Sequence, residues 1–261
     1  MSKLQFDYRM QLTYSEPVTE CHYKVKCFPQ DTDMQQITEL NIEIQPHTNY
    51  QRSIDSFGNL MIYDNLYFPH AEFVVHVSGT AETWLSVSQK ESGFVGQFCY
   101  PHRLNQSGTE LKAYFNTLQP LPDTSPYDTA MYLMHALHRD FRYEQSVTEM
   151  ETTAEQAWQL GTGVCQAYAH IFIALCHMCG IPARYVTGMM IGEGHSHAWV
   201  EILDHNHWYA LDPTNDCIAA DTYIKIAHGR DAKDCMMNKG IIKGGGIQKQ
   251  TVTVRVTKEN L

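Results

Sequence analysis

A chain of 261 residues that is 43% hydrophobic and 18% charged has the composition of a folded protein and not of a disordered one. Its formal charge of −10 comes from acidic residues spread along the chain, which argues against a nucleic-acid partner, because such proteins present a basic face. Met1 to Asp7 holds no signal-peptide core, no apolar run is long enough for a membrane span, and eight cysteines are too few for a disulfide scaffold. A cytoplasmic protein with reduced thiols and no membrane contact is therefore expected.

In chain order, Leu4–Tyr14, Cys21–Phe28, Gln36–Ile44 and Glu72–Val77 read as short strands parted by Pro, Asn, Asp and Gly clusters, with Asp55-Ser56-Phe57-Gly58-Asn59 as a turn. The pattern weakens over residues 91–125. Ser125-Pro126 then reads as an N-cap with proline at the first helical position, and Ala130, Met131, Met134 and Leu137 form one stripe. Thr152-Thr153-Ala154-Glu155 looks like a capping box for a short helix ending at Gly161. Tyr168, Ile171, Phe172, Leu175 and Met178 recur at helical spacing up to Gly180-Ile181-Pro182. Strands follow at Ala183–Met190, His197–Leu203, His207–Leu211 and Thr251–Val256. The fold class expected is α+β: an antiparallel β-sandwich over residues 1–95, then helices packed on an antiparallel sheet over 96–261.

Three positions carry chemistry. Cys165 stands where the Gly161-Thr162-Gly163 turn enters a helix, and a helix N-terminus favours a thiolate and offers N–H groups to an oxyanion. His197 begins a strand, with Trp199 and Glu201 on the same face, and supplies the imidazole that a thiol nucleophile needs. Asp212 ends a strand before Pro213, where a carboxylate can orient that imidazole. Each has an ordinary structural explanation: a small residue at a helix start, one of 14 histidines, a turn-forming aspartate. The chain order Cys, His, Asp, on a helix and two successive strands, makes them a unit.

The stretch Gly161 to His170, with Gly163-Val164-Cys165-Gln166 at its centre, resembles the nucleophile motif of bacterial transglutaminase-like proteins. Gly180 to Val186, His197-Ala198-Trp199-Val200-Glu201, Leu211-Asp212-Pro213-Thr214-Asn215 and His228-Gly229-Arg230-Asp231 resemble the blocks that follow, and Asp55–Asn59 and Pro69-His70 the β-domain that precedes them. Two departures stand out: Ala167, where many relatives are acidic, and Ala232-Lys233-Asp234-Cys235, where an aromatic residue is usual. The resemblance implies a papain-like core with a Cys165–His197–Asp212 triad that attacks an amide carbonyl. It implies a peptide or protein substrate and no cofactor.

The expected reaction is hydrolysis of peptide or amide bonds through an acyl-thioester on Cys165. Protein-glutamine transamidation and a non-catalytic peptide-binding module are the alternatives. Gly163, Gln166 and Trp199 are the expected supporting residues, while Arg184 and Arg230 read as structural ion-pair partners. No metal is expected, because Cys176 and Cys179 lie on one amphipathic helix without a second Cys-x-x-Cys. Oligomeric state and the second oxyanion donor are left open, with only Trp158, Gln159 and Gln166 near in sequence.

Overall fold

The computed structural model describes residues 1–84, 88–91, 93–118, 124–145 and 148–259. Its first strand, β1 (Ser2–Val25), is far longer than expected. Leu4, Phe6, Tyr8, Met10, Leu12 and Tyr14 alternate inward, as a period of two requires, and the strand runs on through Pro17 instead of breaking there. Proline brings no N–H to the ladder, and the pairing slips at this point, between Thr13 and Val18 on one side and Val18 and Glu20 on the other. Cys21–Val25 is thus the second half of one strand, and Lys26–Phe28 lie beyond its end.

Beyond it come β2 (Gln35–Gln45), β3 (Gln51–Ile54), β4 (Leu60–Leu66) and β5 (His70–Thr83). Asp55 closes the turn between β3 and β4: its carboxylate accepts from the backbone of Phe57 and Asn59, while Gly58 takes a φ of 87°. The first half of β1 pairs with β5, which carries β2, and its second half pairs with β4, which carries β3.

The short strand β6 (Ser88–Lys90) leads into α1 (Thr109–Leu118), a helix in the stretch where the sequence pattern fades. Helix α2 (Pro126–Asp140) starts at Ser125, whose hydroxyl accepts from the Asp128 N–H at 3.0 Å. After β7 (Arg142–Tyr143) comes α3 (Ala154–Leu160), capped by Thr153 with Gln156 and closed by Gly161 at φ 69°. The capping pair is therefore one residue later than Thr152–Glu155. Glu155 instead caps the neighbouring α1, accepting from the backbone N–H groups of Gly108, Glu110 and Leu111 at 2.8–3.1 Å.

Strand β8 (Thr162–Gly163) pairs in parallel with β7 and feeds α4 (Cys165–Met178). From Ala167 to Cys176 every residue of α4 is buried, so this helix forms the centre of the molecule, against α2 and α3 on one side and the second sheet on the other. That sheet is built from β9 (Ala183–Met190), β11 (His197–Asp204), β12 (His207–Asp212), β13 (Cys217–Ile218) and β14 (Tyr223–Gly229), in the order β13-β12-β11-β9-β14, with β6 on β12. Between β9 and β11 lies β10 (Gly192–Gly194).

The last two strands, β15 (Asn238–Gly244) and β16 (Gln248–Lys258), turn through Gly244, Gly245 and Gly246, all at positive φ, and return to β1. The first sheet is therefore eight-stranded and includes β1 and β16, the first and last of the described strands. Strand β16 runs alongside β1 from Leu4 to Tyr14, so strands from the first and the second half of the chain share this sheet. One apolar cluster joins Leu4 and Val256 of this sheet to Phe172 of α4 and Val200 of β11. Among the described residues no helix is long and apolar enough to cross a membrane.

Candidate active site

Cys165 is the first residue of α4 and is partly exposed, whereas the helix beyond it is buried. Val164 precedes it in extended conformation without a side-chain cap, and the first-turn N–H groups have no partner further back in the helix. Gly163 is needed for close approach: a Cβ there would lie 2.6 Å from the Ala167 Cβ and 3.3 Å from Phe141. Its place is thus occupied by protein and not by substrate. The Gln166 amide donates to the Met150 carbonyl at 3.2 Å.

His197 opens β11 opposite Gly188 of β9, and Asp212 closes β12 one step beyond the Val200–Leu211 pair. The two meet at 2.7 Å, His197 Nε2 donating to Asp212 Oδ2. This leaves Nδ1 on the side of Cys165, which acts on the ring together with Asp212 to favour its protonated form. Asp212 is wholly buried. Its Oδ1 accepts from the Thr214 and Asn215 backbone at 2.9 and 3.2 Å, and its Oδ2 also accepts from the Asn215 amide at 2.7 Å and the Tyr223 hydroxyl at 2.8 Å.

Burial opposes charge on this carboxyl, but His197 and the surrounding donors outweigh it and hold it below the usual carboxylate value. Burial likewise pulls His197 down; the Asp212 bond, with the Cys165 contact behind it, carries it up to about 10. The balance favours the imidazolium form of the ring. Trp199 lies near-parallel to it with centroids 6.4 Å apart, and Tyr223 stands edge-on to Trp199 at 5.4 Å. Gly188 makes room for this arrangement, since a Cβ there would collide with the Trp199 ring and the Ile224 carbonyl.

Glu201, two residues further along the same face, belongs to a buried ion cluster. It meets Arg184 at 2.5 Å and Lys225 at 2.7 Å, and these cations overcome the effect of burial and hold it down at about 2. Arg184 also covers the Trp208 ring at 4.1 Å, and Arg230 pairs with Asp234 at 2.8 Å. Trp158 stacks on Tyr114 and Phe141, and Gln159 bonds Glu155, so each has its partner elsewhere. His102, Asp231 and Asp234 place one potential ligand atom each within 4.8 Å, but Asp231 accepts from His102 and Asp234 from Arg230. Tyr223 and Gly188 went unread in the sequence: a lone tyrosine and a strand glycine give no signal until the strands are paired.

A cavity of about 360 Å³ is lined by Gln166 and Ser196, the chain neighbours of Cys165 and His197, which do not themselves line it. Its far wall is not part of the second sheet. Tyr8 of β1 and Gln250 and Val252 of β16 line it. The first sheet also holds the approach to the histidine, because β10 pairs Gly192–Gly194 with Val256–Val254 of β16, three residues before His197.

Residues 116–213, from α1 to just past Asp212, match the family model of the transglutaminase-like superfamily core, and residues 4–82 match the bacterial transglutaminase-like N-terminal region. An uncharacterized protein of Mycobacterium leprae is 26% identical, the match covering 94% of this chain and 95% of that protein. One from Mycobacterium tuberculosis H37Rv is 25% identical over 90% of this chain and 86% of its own. A crystal structure of a candidate cysteine protease from Cytophaga hutchinsonii superposes with a TM-score of 0.81 at 20% identity, covering 100% of this chain and 92% of that one, which is a likeness of fold. The chain thus carries a transglutaminase-like core over residues 116–213, preceded by a bacterial transglutaminase-like N-terminal region over residues 4–82.

Proposed function

We propose that this protein is a thiol-dependent hydrolase of peptide or amide bonds that works through an acyl-thioester on Cys165. The observation that supports it most is the His197 imidazole bonded to the enclosed Asp212 carboxylate through Nε2, with Cys165 at the start of α4 acting on the same ring. In this scheme the Cys165 thiolate attacks the carbonyl carbon, and a carbon–sulfur bond forms. His197 then gives its Nδ1 proton to the amine as the carbon–nitrogen bond breaks. The oxyanion is met by N–H groups of the first turn of α4. Water, deprotonated by the now neutral His197, next attacks the thioester and releases the acid and the thiolate. Asp212 keeps the ring oriented throughout, and the steps call on no cofactor.

The test uses a peptide library, with and without an added primary amine, read by mass spectrometry. Free-acid products that vanish in Cys165→Ala support the hydrolase. Products coupled mainly to the amine would replace it with transamidation. Full activity in Cys165→Ala would overturn the mechanism, and no turnover by the parent would favour a peptide-binding module.

A further inference from the structure

We infer that the first sheet forms part of the substrate site, and that the cavity between it and the nucleophile takes an uncharged, apolar side chain next to the bond being attacked. This rests on the Cys165 reading above. The cavity of about 360 Å³ lies at the small end of the range for ligand pockets, roughly 300–1,000 Å³, enough for one or two residues of a peptide. Its placement follows from the pairing register. Alternation sets Tyr8, Met10 and Leu12 on the inward face of β1, and their partners Val254, Val252 and Gln250 lie on that same face of β16. Two of these partners, together with Tyr8, reach the cavity.

The lining sets the chemistry. Among the described residues no Asp, Glu, Lys or Arg contributes to it, and the charges on the adjoining segment are neutralised locally: Lys233 pairs with Glu151 and Asp234 with Arg230. Met150, Met236 and Met237 supply a pliable apolar surface, while Gln166, Asn238 and Gln250 supply amides that can bond a peptide backbone. A charged side chain entering here would be desolvated with His195 as the one titratable imidazole of the lining beside it and no lysine, arginine or carboxylate, whereas a methionine or leucine would bear no such cost.

Peptidyl chloromethyl ketones with Met, Leu, Glu or Lys next to the reactive carbon test this without requiring turnover. Each labelling rate of Cys165 is divided by the same protein's rate with iodoacetamide. The Met and Leu reagents are expected to exceed the Glu and Lys reagents by at least about 100-fold. Gln250→Lys, a change at an exposed residue of β16, is expected to raise the Glu reagent at least about tenfold relative to Met, and Val252→Lys to do the same. An unchanged profile in both variants, equal rates for neutral and charged reagents, or no labelling of Cys165 would overturn the inference. Selective labelling without cleavage of any peptide would uphold this site and defeat only the hydrolase reading.

Discussion

Nε2 of His197 stands 2.7 Å from Oδ2 of Asp212, and that carboxylate is wholly enclosed with four further donors aimed at it. The arrangement suits an anion and nothing else. Changing Asp212→Asn keeps the shape but turns an amide N–H₂ towards other donors and removes the charge that holds the imidazolium. Turnover is expected to fall by about 10²–10⁴-fold, as for a triad carboxylate replaced by its amide. Stability should drop by about 1–3 kcal/mol, from the donors left unsatisfied. Steady-state kinetics and denaturant unfolding check both.

The same pair sets a pH window. His197 rises in the folded protein from 6.5 to about 10, so its contribution to stability is complete below 6.5 and is lost as pH rises through about 10. Activity needs the imidazolium as proton donor and is expected to decline over the same alkaline range. Unfolding midpoints taken across this range should fall for the parent, and the alkaline decline should be much weaker in Asp212→Asn.

Gly188→Ala tests the floor under the histidine. The new methyl group meets the Trp199 ring and the Ile224 carbonyl, and the backbone of β14 cannot yield cheaply. A loss of about 1–3 kcal/mol or more is expected, as for an overpacked core, with a fall in kcat larger than the change in KM. Thermal unfolding and kinetics measure the two effects.

Glu155→Ala is the complementary case. It removes the acceptor for three backbone N–H groups at the start of α1 without touching the Cys165–His197–Asp212 set. The expected cost is about 1–3 kcal/mol of stability, with turnover per folded molecule unchanged.

Local signals announced the elements that carry the site. Ser125-Pro126 marks the start of α2, Gly180 the end of α4, and Ala183–Met190 appears as β9 with the limits read from its apolar run. Cys165, His197 and Asp212 each sit at an element boundary, so boundary signals made them candidates, while their chain order and the family resemblance joined them into a set. What stayed hidden was non-local. Pro17 resembles a break but is a bulge in β1, since the carbonyl of a proline still accepts, here from Gly245. Glu155 matched a local capping box while serving another helix, and Tyr223 reaches Asp212 only because the chain returns past it. Nothing near Gln248–Lys258 signals that this strand pairs with β1, because register over such separations is set by the whole sheet.

The central claim is that His197 activates Cys165. Alkylation with limiting iodoacetamide at neutral pH, followed by peptide mapping, tests it against the other partly exposed thiols, Cys99, Cys179 and Cys217. Cys165 is expected to react at least about tenfold faster than any of them, and to lose that lead in His197→Ala. A Cys165 that reacts no faster than these three, or whose lead survives in His197→Ala, would contradict the account.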